Sequence, residues 1–126
     1  MSDDDSQYAS AVAARASQVK ALINQRRNED AVTAALVDPP VLARSDDIKN
    51  ANAQTVLSAL LACNKGEMQR VIDSLTPDLE DNLMKYVSKF VSLPAHSSAM
   101  LEWHQKLAAK AGAGCIIRSF TDRKQV

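Results

Sequence analysis

The sequence predicts an all-helical protein: about seven helices in stacked antiparallel hairpins, an α-solenoid-like arrangement in which each hairpin buries its apolar face against the next. Three observations carry this. Alanine is abundant while aromatic residues make up only 4% of the chain, and alanine loses no side-chain entropy on entering a helix. Three glycines and four prolines are the only strong punctuation. The chain also resembles itself at a period suited to helical-hairpin repeats, about 39 residues. That shift lays Leu22 on Leu61, Val32 on Val71 and Leu36 on Leu75, each copy being a long helix, a polar turn, a short helix and then a proline.

Residues 1–7, with Asp3, Asp4 and Asp5, read as an acidic disordered tail, and 8–126 as a single helical domain. The first helix spans about Tyr8 to Arg27, with Val12, Ala16, Val19 and Ile23 at helical spacing and Leu22 beside them. Asn28 is the expected N-cap of a second helix, Glu29 to Val37, which Asp38-Pro39-Pro40 stops because proline disfavours helical geometry in the residue before it. Ser45 is the expected cap of a third, running to about Cys63, and Asn64-Lys65-Gly66 its stop. A short fourth, Glu67 to Leu75, turns Met68, Val71 and Ile72 inward. Thr76-Pro77 opens the fifth, with a cap residue followed by proline at the first helical position and Asp78, Glu80 and Asp81 in the opening turns. Pro94 breaks the chain, and Ser97 or Ser98 caps the sixth helix with Glu102 placed to complete a capping box. Gly112-Ala113-Gly114 is the expected end before a last helix, Cys115 to about Thr121.

The expected core is Leu83, Tyr86, Phe90, Trp103, Leu107 and Phe120, since a large aromatic buries roughly 150–250 Å² and four of the five aromatics stand here. Fifteen basic and fifteen acidic residues balance, which gives no net charge pointing to nucleic acid or an anionic membrane. No apolar run approaches the length of a membrane span, and Cys63 and Cys115 read as buried thiols in a reducing compartment. The expected location is the cytoplasm.

The blocks N-L-M-K-Y-V-S-K-F-V (Asn82–Val91), S-S-A-M-L-E-W-H-Q-K-L-A-A-K-A-G-A-G (Ser97–Gly114) and C-I-I-R-S-F-T-D-R-K-Q-V, preceded by A-V-T-A-A-L-V-D-P-P, occur in one order. Together they resemble the family of the sixteen-kilodalton subunit, the fifth small subunit, of the actin-related protein 2/3 complex, over roughly Val19 to Val126. The resemblance implies a non-catalytic structural subunit that supports actin filament nucleation and branched network assembly on the actin cytoskeleton. It also implies three partners: the propeller subunit, the twenty-kilodalton subunit and actin-related protein 2. Family members often begin with a longer acidic, aromatic-containing arm; Asp3-Asp4-Asp5 and Tyr8 echo it, which implies a shorter arm here. The alternative reading is a free-standing helical adaptor that binds amphipathic peptide helices in a solenoid groove.

Catalytic motifs are missing: there is no glycine-rich phosphate loop, no G-x-S-x-G, and no paired H-x-x-x-H or C-x-x-C. No catalytic, metal or cofactor site and no small-molecule ligand is expected. His96 reads as a surface residue, and His104, beside Trp103, as a core or edge histidine. Binding then falls to side chains off the core stripes: Leu57 and Leu61 on the third helix, Met84 and Val91 on the fifth, Leu101 on the sixth, and Arg118, Arg123 and Lys124 at the basic end. The competing reading of each aliphatic is core, and of each charge, solvent.

Overall fold

The computed structural model describes residues 3–37, 39–40 and 43–121, with side chains described within 5–110. The order is α1 (Asp3–Asn24), α2 (Asn28–Leu36), α3 (Asp46–Ala62), α4 (Lys65–Ser74), α5 (Pro77–Phe90) and α6 (Ser97–Thr121), with a 3-10 turn at Pro94–His96 before α6. The fold is all-helical. Hairpins α1–α2 and α5–α6 flank α3 and α4: α3 packs on α1, α2 and α5, while α4 packs on α2 and α6. Helix α2 touches four others and forms the centre, so Ala31, Val32, Ala35 and Leu36 are fully buried.

Prolines end helices here as expected, but glycines do not. Gly66 lies in the first turn of α4, and α6 runs unbroken through Gly112-Ala113-Gly114 to Thr121. The two last expected helices are therefore one, giving six α-helices among the described residues. Glycine inside a helix costs about 1 kcal/mol relative to alanine but keeps its hydrogen-bond donor; proline loses the donor and clashes. Helix α1 begins at Asp3 rather than near Tyr8, and its Asp5 is buried.

Cap positions shift too. Arg27, not Asn28, precedes α2 and makes no side-chain cap bond. Arg26 before it is the one described non-glycine residue at positive φ, 60°, a left-handed residue that reverses the chain from α1 into α2. Asn64 is not a stop but the N-cap of α4: it accepts from Glu67 N–H at 2.8 Å, and the Glu67 carboxylate accepts from Asn64 N–H at 3.0 Å. Thr76 caps α5 with Pro77 at its start, as its sequence dictates.

One continuous core runs from Val19 on α1 to Leu107 on α6. Trp103, Tyr86, Leu83, Met84, Met100 and Leu107 are its largest fully buried members on α5 and α6. Tyr86 and Phe90 stack with ring centroids 6.0 Å apart. A buried polar thread crosses this core: Arg15 Nη1 donates to Asn52 Oδ1 at 2.8 Å, and Asn52 Nδ2 donates to the Tyr86 hydroxyl at 2.6 Å. It joins α1, α3 and α5 in one register, because a shift of any helix strands a buried amide or hydroxyl. A second, small cluster holds Val12, Ala43 and Ile48, with Tyr8 and Ala9 against them.

Candidate interface on the edges of the helical stack

Side-chain contacts draw the α1–α2 and α3–α4 turns together beside the first part of α6, here called the turn edge, and the ends of α2 and α4 beside α5 and the later part of α6, the crossover edge. Helix ends leave carbonyls without intrahelical partners; the C-cap N–H groups of Cys63 and Leu75 reach Leu60 O and Ile72 O, and side chains from distant helices complete the closure. At the turn edge, Trp103 Nε1 donates to Leu60 O at 3.3 Å and Asn28 Nδ2 to Ala62 O at 3.1 Å, closing the end of α3. Asn28 also donates to the Glu67 carboxylate, 39 residues on, so the sequence repeat sets equivalent residues of two hairpins in contact. Arg70 pairs with Glu29, and Lys65 with Glu102 at 3.5 Å.

At the crossover edge, Asn82 Nδ2 donates to Leu36 O at 3.1 Å and closes α2. Lys110 Nζ donates to Ile72 O and, at 3.0 Å, to Leu75 O, closing α4, and pairs with Glu80 Oε1 at 3.1 Å. A cation at the negative end of a helix is favoured by the helix dipole, and Glu80, 8% exposed, gains the charge partner its burial requires.

The four exposed large hydrophobics among the described residues divide unevenly between these edges. Leu61 (42% exposed), Leu93 (40%) and Leu101 (49%) stand at the turn edge, and Val37 alone at the crossover edge. Of the residues expected to bind, Leu61 and Leu101 are therefore surface residues. Val91 is half-buried against the main core. Leu57 and Met84 are corrected to core, 6% and 0% exposed: α3 and α5 are covered on two sides, so a stripe wider than one face is still interior. The side chain of Arg118 and residues Arg123 and Lys124 lie outside what is described, as do the side chains of Cys115 and Phe120. Leu83, Tyr86, Phe90, Trp103 and Leu107 are all buried. Leu93 was not among the expected residues; its signal was an apolar residue directly before a loop proline.

The chemistry of reactive groups is subdued. Burial pushes the Cys63 thiol up to about 12, with Glu67 and Glu29 adding to it, and its sulfur lies 3.6 Å from Ala59 O. Such a thiol stays protonated and packs as a small apolar group. Burial likewise raises the Tyr86 phenol to about 12. His104 is half-buried on α6. Among the described residues, no group of three or more His, Cys, Asp or Glu converges as metal ligands do, and no helix is long and apolar enough to cross a membrane.

Comparison with known proteins points one way. The family model described as ARP2/3 complex 16 kDa subunit (p16-Arc) matches residues 2–126. The chain is similar to actin-related protein 2/3 complex subunit 5 of Dictyostelium discoideum, 33% identical over 122 residues, covering 97% of this chain and 88% of the relative. It is similar to the subunit 5-like protein of Homo sapiens, 34% identical over 129 residues, with 98% and 84% covered. It is also similar to subunit 5-C of Xenopus laevis, 35% identical over 98 residues, with 76% and 65% covered.

Proposed function

Since the chain belongs to the family of the 16 kDa subunit of the actin-related protein 2/3 complex, we propose that it is a structural subunit of that complex and supports actin filament nucleation and branched network assembly. The observation that carries this is the family match across residues 2–126. Its partners are other subunits of the complex: in our reading the propeller subunit, the twenty-kilodalton subunit and actin-related protein 2. Its place is the cytoplasm, on the actin cytoskeleton, and its role is non-catalytic. A buried, protonated thiol and a half-buried histidine support that last point.

The turn edge is the contact face in this reading. Leu61, Leu93 and Leu101 are exposed there beside an ordered frame of caps and ion pairs, and exposed apolar side chains gathered on one rigid edge favour a protein partner. The test is isolation of the tagged full chain from its own cells at physiological salt. Actin-related proteins and the other small subunits are expected to co-purify, and a chain that runs alone would sink the proposal. Leu61→Asp with Leu101→Asp is expected to cut co-purification at least about tenfold while leaving the helical circular dichroism unchanged, as surface substitutions do. Undiminished co-purification would move the contact face elsewhere.

A further inference from the structure

Asp5 is the most deeply buried carboxylate among the described residues, 5% exposed. Its Oδ1 accepts from the backbone N–H of Arg44 at 3.0 Å and its Oδ2 from that of Ser45 at 3.1 Å. These amides stand at the start of α3, where the N-cap Ser45 makes no side-chain cap bond of its own. A carboxylate from α1 therefore anchors the two residues that lead into α3, with the helix dipole in its favour. One to two turns further along α1, Tyr8, Ala9 and Val12 pack on Ala43 and Ile48, in a cluster distinct from the main core. Helix α1 joins the main core only at Val19, after Arg15 has bonded Asn52. Among the described residues, the stretch Asp3–Val12 is held to residues 43–48 by a buried carboxylate and a small apolar cluster.

We infer that Asp3–Val12 is a releasable latch on the start of α3: the two segments come apart together, as one unit, while the main core stays closed. Local opening is least costly where few apolar contacts are buried, and this cluster is small. Release frees the Arg44 and Ser45 amides at once, and because Ser45 O accepts the first helical bond from Lys49 N–H, the entry into α3 loosens when the latch leaves. A partner that captures Asp3–Val12 in another conformation consequently softens the start of α3. Reciprocally, whatever firms that entry holds the latch down, because coupling between two sites acts in both directions.

Hydrogen exchange followed by mass spectrometry on the full chain tests this. In the wild type, amides of residues 6–12 and those of Arg44, Ser45 and Lys49 are expected to exchange at a common rate, at least about tenfold faster than those of 83–87 in the main core. Asp5→Asn keeps the shape but removes the charge and one of the two acceptor oxygens. It is expected to speed exchange in both segments by about tenfold, the size of one lost hydrogen bond, and to leave 56–60 and 83–87 unchanged. Val12→Ala, which trims the cluster instead of the carboxylate, is expected to move the same two segments. The inference is overturned if Asp5→Asn changes nothing, if it accelerates 6–12 alone (a frayed end), or if every segment shifts alike (global unfolding).

Discussion

At the turn edge, helix ends are closed by an indole and an amide, the ion pairs lie in the open, and three leucines face solvent. At the crossover edge the closing groups are a lysine and an amide, with Glu80 drawn inside beside the lysine and Asp5 buried at the start of α3. Both edges answer the same requirement, unpaired carbonyls and amides at helix termini, yet the residual surface differs. The crossover edge turns its charges inward and becomes a seam between hairpins. The turn edge closes its helix ends with neutral groups, leaves its ion pairs in the open and keeps apolar side chains outward.

That contrast can be broken at several points. The largest effect is expected from Trp103→Ala, which removes both the fully buried ring and the donor to Leu60 O. Urea denaturation should show a loss of about 3–5 kcal/mol; a loss below about 1 kcal/mol would mean the turn edge does not depend on this ring. Lys110→Met comes next. It leaves Glu80 enclosed without its cation and uncovers the end of α4. The expected cost is about 2 kcal/mol, below that of a fully buried pair because the lysine is partly exposed. Adding Glu80→Leu should restore much of that stability, and a double variant no better than the single would show that the carbonyl contacts, not the ion pair, form the seam.

The smallest effect belongs to the capping box at the turn edge. The Asn64 N–H, then the Asn28 side chain, hold the Glu67 carboxyl below its ordinary value of 4.5. A depressed value means the unfolded chain takes up the proton first, so the contribution is present above the ordinary value and fades as pH falls through the folded one. Glu67→Gln should therefore cost a few tenths of a kcal/mol at neutral pH, measured by thermal melts, and the gap should narrow as pH falls below the ordinary value of 4.5. A gap that persisted in acid would assign the effect to packing.

How far these features could be read in advance depended on their range along the chain. Trp103, Tyr86 and Phe90 declared the core because large rings are scarce here, and Thr76-Pro77 declared a helix start because both signals act locally. Leu57 and Met84, each open to a core reading as well as a binding one, fall to the core because α3 and α5 are covered on two sides. Gly66 and Gly112–Gly114 misled because a tolerable local cost resembles a stop signal. Asp5, Asn52 and Glu80 were legible only as polar residues: what buries them are partners on other helices, far along the chain. The self-similarity between the first two hairpins was the one long-range signal, and the contact from Asn28 to Glu67 realises it.

The trans-acting caps carry a consequence for the order in which the protein is made. Helices α2, α3 and α4 are complete in sequence by Ser74, yet the groups that close their ends include Asn82, Trp103 and Lys110. In a nascent chain emerging from the ribosome, Leu60 O and Ile72 O have only a local backbone donor, and Leu36 O and Leu75 O lack the side chains that close them, until the last two helices arrive. Its first four helices therefore stay provisional during synthesis, and the chain beyond Ser74 acts as the template on which the earlier ones settle.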